Sequence, residues 1–409
     1  MEDNNISSVL IIGGGVAGIS AALDIANAGR IVHLVEKSFV LGGQVAKLDK
    51  LYPTDHCAFC PLWTDIKRLR DHPFITVHTC TEVKELKRME ERICATIVKN
   101  TPVIDESLCV FCGKCARECP ENAIVPLGAH FYPPSYRIDP EICTRCDWCM
   151  KACPTAAIDF QRTNESFELM CDRVIWASGF KEIDLTPLPE FGFGSHPDIM
   201  TSLEFEEWMA EAGINQGDII KKSNRSVPRN IAFIQCAGAR DQRMLPYCST
   251  VCCMHALKQA QWVKRRSPEV HCVIFYTDLR TVGRDYYEYS LRDFNGGGVR
   301  LIRGRPSLIY PIPGGEGIAV KFENTMTQKR EIWKFDMVVL NGNIRSSLAG
   351  ANSEEHCLPT LTGDGFVNPE SDDISRFACG FSREPADVAE SVIQASSAAV
   401  RTILAKRNT

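Results

Sequence analysis

The sequence contains no long apolar run. None of its hydrophobic stretches approaches the ~18 residues that a membrane-spanning helix needs, so we predict no direct membrane span. The first eight residues are polar and acidic, and they lack the basic start and apolar stretch of a secretory signal peptide. Since no segment directs the chain to a membrane, we expect a cytoplasmic protein.

The chain also lacks an excess of positive charge. Its net charge of −5 gives no electrostatic basis for binding nucleic acid or an anionic bilayer. We therefore predict that its macromolecular partners are proteins. No Ser/His/Asp set, pair of carboxylates or activated nucleophile stands out, so the sequence indicates no catalytic residue for proton chemistry at a substrate.

Cysteine, by contrast, is abundant: twenty occur among 409 residues. A chain of this length does not depend on a disulfide framework, and many of its cysteines have C-x2-C spacing, so they indicate a reducing compartment. The length leaves room for two or three domains.

One cysteine pattern occurs twice. The runs that begin at Cys109 and Cys143 both read C-x2-C-x2-C-x3-C-P, the run that holds paired 4Fe–4S clusters in bacterial-type ferredoxins. The fourth cysteine of each run ligates the other cluster. We therefore assign one cluster to Cys109, Cys112, Cys115 and Cys153, and the other to Cys143, Cys146, Cys149 and Cys119. Zinc also binds C-x2-C pairs, but it gives no reason for two complete repeated runs.

A second pattern opens the chain. The apolar strand from Val9 is followed by Gly13, Gly15 and Gly18 in G-x-G-x-x-G spacing and then by a helical stretch. The glycines allow a tight turn, close approach to a pyrophosphate and close packing of the helix on the strand. The next strand ends at Glu36, where a carboxylate binds ribose hydroxyls, so we predict a dinucleotide site.

Further turns favour FAD over NAD as this dinucleotide. A glycine turn at Gly42, Gly43 and Gln44 and a later strand ending at Gly179 are similar to those of two-dinucleotide-domain flavoproteins. Many such proteins have a Gly-Asp pair at the last flavin strand, whereas this chain has Gly380-Phe381. We expect the missing contact to come from backbone or from a helix N-terminus.

The strand from Asn230 stands where a second dinucleotide site is expected, but its glycines are missing. Side chains at Cys236 and Ala239 oppose close approach of a pyrophosphate, so NAD(P)H binding is not predicted. Our hypothesis is instead a third 4Fe–4S cluster on Cys236, Cys248, Cys252 and Cys253. Reduced free cysteines and a zinc site are the alternatives.

The remaining cysteines are harder to interpret. Cys57 and Cys60 have C-x2-C spacing without a second pair nearby, and both cluster ligation and thiol chemistry stay open. Isolated cysteines in apolar surroundings are expected to be small buried side chains. These are Cys80, Cys94, Cys171, Cys272 and Cys357.

These observations predict an α/β fold: a two-dinucleotide-domain, thioredoxin-reductase-like flavoprotein with an inserted bacterial-type ferredoxin module carrying two 4Fe–4S clusters. We predict five segments along the chain. They are the first part of the FAD-binding domain (1–100), the ferredoxin module (101–160), the return of the FAD domain with a linker (161–228), a degenerate second dinucleotide-type domain carrying the cysteine cluster (229–345), and the last part of the FAD domain (346–409).

The order of the motifs GGGVAG, VEKSFVLGGQ, YPTDHCAFC, the two cysteine runs, FIQCAGARD, YCSTVCC and TDLRTVG resembles HdrA, the flavin-binding component of heterodisulfide reductase. It also resembles QmoA, the related component of the quinone-interacting membrane-bound oxidoreductase complex. The resemblance implies an oxidoreductase subunit, active in a complex, that passes electrons between FAD and its clusters. It implies partners similar to HdrB and HdrC, the companion proteins of heterodisulfide reductase, or other iron–sulfur proteins, and ferredoxin.

The resemblance favours one functional hypothesis, and others stay open beside it. Within its complex, the protein would split electron pairs between ferredoxin and a disulfide or quinone-linked partner. The alternatives are a QmoA-type protein that links a quinone pool to a soluble reductase, an NAD(P)H:acceptor flavoprotein, and a non-catalytic component whose clusters only conduct.

Overall fold

The computed structural model describes residues 7–105, 107–126, 136–139, 142–211, 213, 215–294, 298–350, 359–368 and 376–405. The helices are α1 (Val16–Asn27), α2 (Phe59–Arg70), α3 (Lys114–Arg117), α4 (Trp148–Ala152), α5 (Ser202–Met209), α6 (Cys252–Arg266), α7 (Tyr286–Phe294) and α8 (Val388–Leu404). The strands are β1 (Ser8–Ile12), β2 (Ile31–Val35), β3 (Lys50–Leu51), β4 (His56–Cys57), β5 (Ile75–His78), β6 (Thr81–Met89), β7 (Arg92–Lys99), β8 (Ile124–Pro126), β9 (Tyr136–Ile138), β10 (Glu165–Cys171), β11 (Arg173–Trp176), β12 (Phe180–Glu182), β13 (Ile199–Thr201), β14 (Asn230–Ile234), β15 (His271–Tyr276), β16 (Val299–Arg303), β17 (Pro306–Pro311), β18 (Ile318–Asn324), β19 (Lys329–Phe335), β20 (Met337–Leu340), β21 (Ile344–Ser346) and β22 (Arg376–Ala378).

The first sheet is parallel and has the order β22-β11-β1-β2-β5. Alternate residues of β1 are buried on opposite faces, because Val9 and Ile11 pack with α1, α2 and α8, while Leu10 packs with β7 and β10. A parallel sheet covered on both faces explains why this strand is apolar from Val9 to Ile12. The covering layer on the second face is the antiparallel sheet β10-β7-β6.

The segment with the two cysteine runs leaves this small sheet and returns to it. Strand β7 pairs with β10, and the cysteine runs lie between them in the sequence. A bridge between Ile104 and Ile158 closes the base of the segment, and both side chains join a small core that contains Cys115 and Cys149. This arrangement is an inserted module, as the fold prediction requires.

The second sheet is also parallel, with the order β13-β20-β14-β15-β16. On β14, Ile231 and Phe233 pack with α5, α6 and α7, while Ala232 and Ile234 pack with the antiparallel sheet β17-β18-β19. The short pair β12 and β21 connects the two halves. The predicted fold, two dinucleotide-type units with an inserted module, is therefore confirmed.

No helix in the described ranges combines the length and apolarity needed to cross a bilayer.

Candidate redox site

A cavity of about 1600 Å³ lies between the two parallel sheets. Its first wall is formed at the carboxyl ends of β1, β2 and β11 and at the N-terminus of α8, and its second wall includes Cys252, Lys258, Tyr286 and Gly342. Pockets for drug-sized molecules measure roughly 300–1000 Å³, so this cavity has room for a dinucleotide. Cavities at the carboxyl ends of parallel strands are the usual ligand sites of such folds.

The first glycine turn has the geometry that its spacing predicts. A Cβ atom on Gly13, whose φ is +114°, would lie 2.2 Å from the carbonyl oxygen of Ala177, and one on Gly18 would lie 1.9 Å from the carbonyl oxygen of Gly13. Both glycines therefore allow close packing. Gly15 is different. It directly precedes α1, and the only atom within 4 Å of its Cβ position is the Cα of Gly43, at 3.9 Å. The space around that position opens into the cavity. No side chain caps α1, which leaves its positive end available to a phosphate.

Glu36 lies in the wall and is only 7% exposed. Its carboxylate accepts hydrogen bonds from the backbone N–H groups of Gly14, at 2.6 Å, and Ser38, at 2.7 Å. Its remaining lone pairs are free to accept ribose hydroxyls, the role predicted for it. The structure adds a positioning role, since Glu36 joins the first glycine turn to the end of β2.

The other predicted flavin residues lie in the same wall. Gly42 accompanies Gly15 in a short parallel bridge, and the Gln44 side-chain amide donates to the carbonyl of Phe180 at 3.5 Å. The Gln44 side-chain oxygen is buried without a hydrogen-bond partner. Of the nine predicted flavin residues, Gly18 lies behind Gly13 and does not line the cavity. The other eight line it: Gly13, Gly15, Glu36, Gly42, Gly43, Gln44, Gly179 and Gly380.

The last flavin segment contributes the N-terminus of α8. Asp387 caps this helix by accepting from the backbone N–H of Glu390 at 2.8 Å, and it also accepts a hydrogen bond from the Tyr286 hydroxyl. Asp387, Val388 and Ala389 all line the cavity. The N-terminus of α8 therefore lies where the contact of the absent Gly-Asp pair would be needed, and its role in binding the flavin stays a prediction.

A buried charged cluster was missed by sequence reasoning. Glu206 on α5 contacts Lys258 at 2.5 Å and His255 at 3.2 Å, both on α6, and the two α6 residues line the cavity. The Lys258 ammonium also donates to the carbonyl of Lys50 at 2.9 Å. Burial alone would raise the pKa of Glu206, but Lys258 and His255 outweigh it and hold that pKa well below its ordinary value. Burial, reinforced by Lys258, lowers the pKa of His255, so His255 is neutral at pH 7.

The ferredoxin-type cysteines form the two predicted sets around separate small hollows. One hollow is lined by Cys109, Cys112, Cys115 and Cys153, and the other by Cys119, Cys143, Cys146 and Cys149. Burial raises the pKa of the Cys115 thiol to about 11, and the other three thiols of its set contribute to the rise.

The fourth cysteine of each run has the same local hydrogen bond. Cys119 accepts from the backbone N–H of Ala123, and Cys153 accepts from that of Ala157, both at 3.3 Å. Such N–H···S bonds stabilise a thiolate and tune a bound cluster. The repeat in sequence is therefore a repeat in structure, which the zinc alternative does not explain.

The four cysteines predicted to hold a third cluster also converge. Cys236 has a left-handed backbone, with φ of +59°, two residues after the end of β14, and Cys252 and Cys253 begin α6. Burial raises the pKa of Cys236 to about 11, and the nearby Cys252 and Cys248 add to it. Cys248 accepts from the backbone N–H of Thr250 at 3.4 Å. Cys252 also lines the large cavity, so this set lies beside the predicted flavin site.

An unpaired amide supports a polar group at this third set. Gln235 precedes Cys236 and is 2% exposed, and neither its side-chain nitrogen nor its oxygen has a hydrogen-bond partner. Gln235 lies in the turn between the end of β14 and Cys236, so its amide is adjacent in sequence to a member of this set. Across the described residues, no three His, Cys, Asp or Glu side chains are arranged to hold one metal ion. In a 4Fe–4S cluster each thiolate binds a different iron atom. The ligating sulfur atoms therefore lie farther from one another than the ligands of a single zinc ion do.

The isolated cysteines behave as predicted where they are described. Cys80, Cys94, Cys171 and Cys272 are buried, and Cys357 lies outside the described residues.

These features define a flavin- and iron–sulfur-type oxidoreductase. The FAD dependent oxidoreductase family matches residues 8–55, and the 4Fe-4S dicluster domain family matches residues 108–157. The fold is similar to that of thioredoxin reductase from Lactococcus lactis, with a TM-score of 0.56 and 13% identity over 97% of this chain and 98% of that one.

The chain is also similar to curated relatives over most of its length. The chain is 37% identical to an A-type iron-sulfur subunit of CoB–CoM heterodisulfide reductase from Methanopyrus kandleri, over 97% of this chain and 64% of the relative. It is 34% identical to the A-type subunit of the H2/formate:CoB–CoM heterodisulfide,ferredoxin reductase of Methanococcus maripaludis, over 96% of this chain and 63% of the relative. The chain thus spans just under two thirds of these relatives. Over this shared region it is a homologue of HdrA, which confirms the resemblance of its motifs.

We expect Gly15→Val to remove FAD without unfolding the chain. The Gly15 backbone suits a β-branched residue, and the new side chain would fill the open side toward the cavity. FAD occupancy should fall about tenfold or more, which corresponds to about 1.4 kcal/mol or more of binding free energy. The flavin-to-protein ratio after gel filtration measures this change. Gly363→Val is the control, because no atom lies within 4 Å of its Cβ position and its φ is not positive. Equal flavin content in the two variants would contradict the assignment.

Proposed function

We propose that this chain binds one FAD in the cavity and three 4Fe–4S clusters on the three cysteine sets, and that it passes electrons between them. The first glycine turn and the α1 N-terminus bind the pyrophosphate, Glu36 binds the adenosine ribose, and the wall from Gly42 to Gln44 encloses the cofactor. The observation that carries the proposal is the position of Cys252, which belongs to the third set and also lines the cavity. A flavin and a cluster bound there would be neighbours.

Bound FAD would supply exchange of electrons singly or in pairs. The protein supplies the surroundings: Lys258 presents a fixed ammonium to the cavity, and Glu206 and the Lys50 carbonyl hold it in place. A fixed cation beside a flavin favours its negatively charged reduced form. His255, neutral at pH 7, provides a second polar contact on the same helix.

The chain is proposed to act within a multi-protein complex. The name of the Methanococcus maripaludis relative refers to both a heterodisulfide and ferredoxin, so we propose ferredoxin and proteins similar to HdrB and HdrC as partners. As an extension, we propose that the complex splits electron pairs between ferredoxin and a disulfide or quinone-linked partner. Potentiometry tests this extension, because a stable, long-lived neutral semiquinone would contradict it.

An anaerobic reductive titration tests the central proposal. The purified chain should take up about five electron equivalents, two for FAD and one for each of three clusters. About four equivalents would reject the third cluster, and uptake without a flavin absorbance would reject FAD. NADH should leave the flavin oxidised, since Cys236 and Ala239 are buried in the turn where a second pyrophosphate would bind. Rapid bleaching by NADH would support the NAD(P)H-dependent alternative instead.

A further inference from the structure

Cys57 and Cys60 form a close pair of thiols at the surface. Cys57 ends the short strand β4, opposite Lys50 on β3, and Cys60 lies in the first turn of α2. The two side chains are hydrogen-bonded to each other. Cys60 is exposed and Cys57 is half-buried, so solvent reaches the pair.

The surroundings of this pair differ from those of the three cysteine sets. Cys115 interacts with three other thiols, whereas Cys60 interacts with one thiol, that of Cys57, and with the positive charge of Lys50. Neither Cys57 nor Cys60 lines the large cavity. A cube needs four ligands, and the described residues near this pair supply two, while a disulfide needs only two.

We propose that Cys57 and Cys60 are a solvent-accessible redox-active dithiol that exchanges with an external disulfide. Cys57 Sγ attacks one sulfur of the external disulfide, the S–S bond breaks, and one thiolate leaves. Cys60 Sγ then displaces the second thiolate and forms the Cys57–Cys60 bond. The two thiol protons pass to the two released thiolates, so the pair loses two electrons and the external disulfide gains two.

The order of attack follows from the hydrogen bond within the pair. This bond, more than burial, raises the pKa of the Cys60 thiol, so Cys60 keeps its proton and Cys57 is the acceptor. Cys57 is thus the attacking sulfur and Cys60 the resolving one. Lys50 lies opposite Cys57 across the hairpin and places a positive charge near the pair. Neither thiol lines the large cavity or belongs to a cysteine set, and the inference does not depend on a bound cofactor.

The experiment equilibrates the full chain anaerobically with glutathione and glutathione disulfide at a series of ratios. After acid quenching, denaturation and alkylation, trypsin releases residues 51–67, which contain Cys57 and Cys60 and no other cysteine. We expect this peptide to change from doubly alkylated to mostly disulfide-bonded across the series. Residues 71–84, which contain only the buried Cys80, provide the control and should stay alkylated. A 51–67 peptide that stays alkylated at every ratio would overturn the proposal.

Single variants separate this function from cluster ligation. Cys60→Ser should trap glutathione on Cys57, while Cys57→Ser should react with glutathione disulfide at least about tenfold more slowly. Both variants should keep the iron and flavin content of the wild-type chain. A loss of about four iron atoms per chain in either variant would identify a cluster ligand and overturn the dithiol proposal. Wild-type protein without iron or flavin would contradict the proposed function but not this inference.

Discussion

Replacing Cys252 and Cys253 together by alanine is expected to lower the iron content from about twelve to about eight atoms per chain. Both thiols begin α6 and are buried next to Cys236, and both interact with it electrostatically. Their removal leaves two thiols at the third set, too few for a cube. The ferredoxin-type sets are untouched, so their clusters should remain. Iron and acid-labile sulfide analysis of anaerobically purified protein measures the change.

A matched control separates ligand loss from damage to the fold. The Cys171→Ala/Cys272→Ala double variant also removes two buried thiols, each from a strand core. It should retain about twelve iron atoms. Wild-type protein with about eight iron atoms would show that the third set binds no cluster. Equal iron loss in both double variants would point to instability.

The sequence allowed much of the site to be predicted because the relevant residues are local. Spacing alone determines which cysteines of the two runs can share a cube, and the structure groups them in that way. The spacing of the glycines at 13, 15 and 18 is also a local signal, although the contact of Gly13 with Ala177 joins parts of the chain that are distant in sequence. Such short-range patterns depend little on how the distant parts of the chain pack.

The charged cluster at the cavity could not be predicted in this way. Glu206 and Lys258 are fifty-two positions apart and meet only because α5 and α6 cover the same face of the second sheet. On a helix, Glu and Lys usually face solvent, so sequence reasoning treats them as surface residues. The one available signal was the run from Cys252 to Leu257, which is apolar apart from His255 and is therefore typical of a buried helix start.

Replacing Lys258 by methionine should have the largest effect on stability. Glu206 and Lys258 are 2% and 4% exposed, so removing the ammonium leaves a buried carboxylate without its main partner. Breaking such a pair costs about 3–5 kcal/mol. Denaturant unfolding, compared between the wild type and the variant, measures this loss. The exposed Lys47, which also lines the cavity and pairs with Glu207, is the control, and Lys47→Met should cost less than about 1 kcal/mol.

The pH dependence of that loss tests its cause. In the wild type the folded pKa of Glu206 is lowered, so the carboxylate stabilises the fold above its unfolded pKa of ~4.3, and this contribution disappears as pH falls through the folded pKa. In Lys258→Met, burial raises that pKa instead. The destabilisation should therefore be largest at neutral pH and should shrink as pH falls toward ~4.3, because protonation removes the buried charge. Adding Glu206→Gln should restore most of the lost stability at pH 7. If the loss were independent of pH and not rescued, it would reflect packing of the Lys258 side chain rather than its charge.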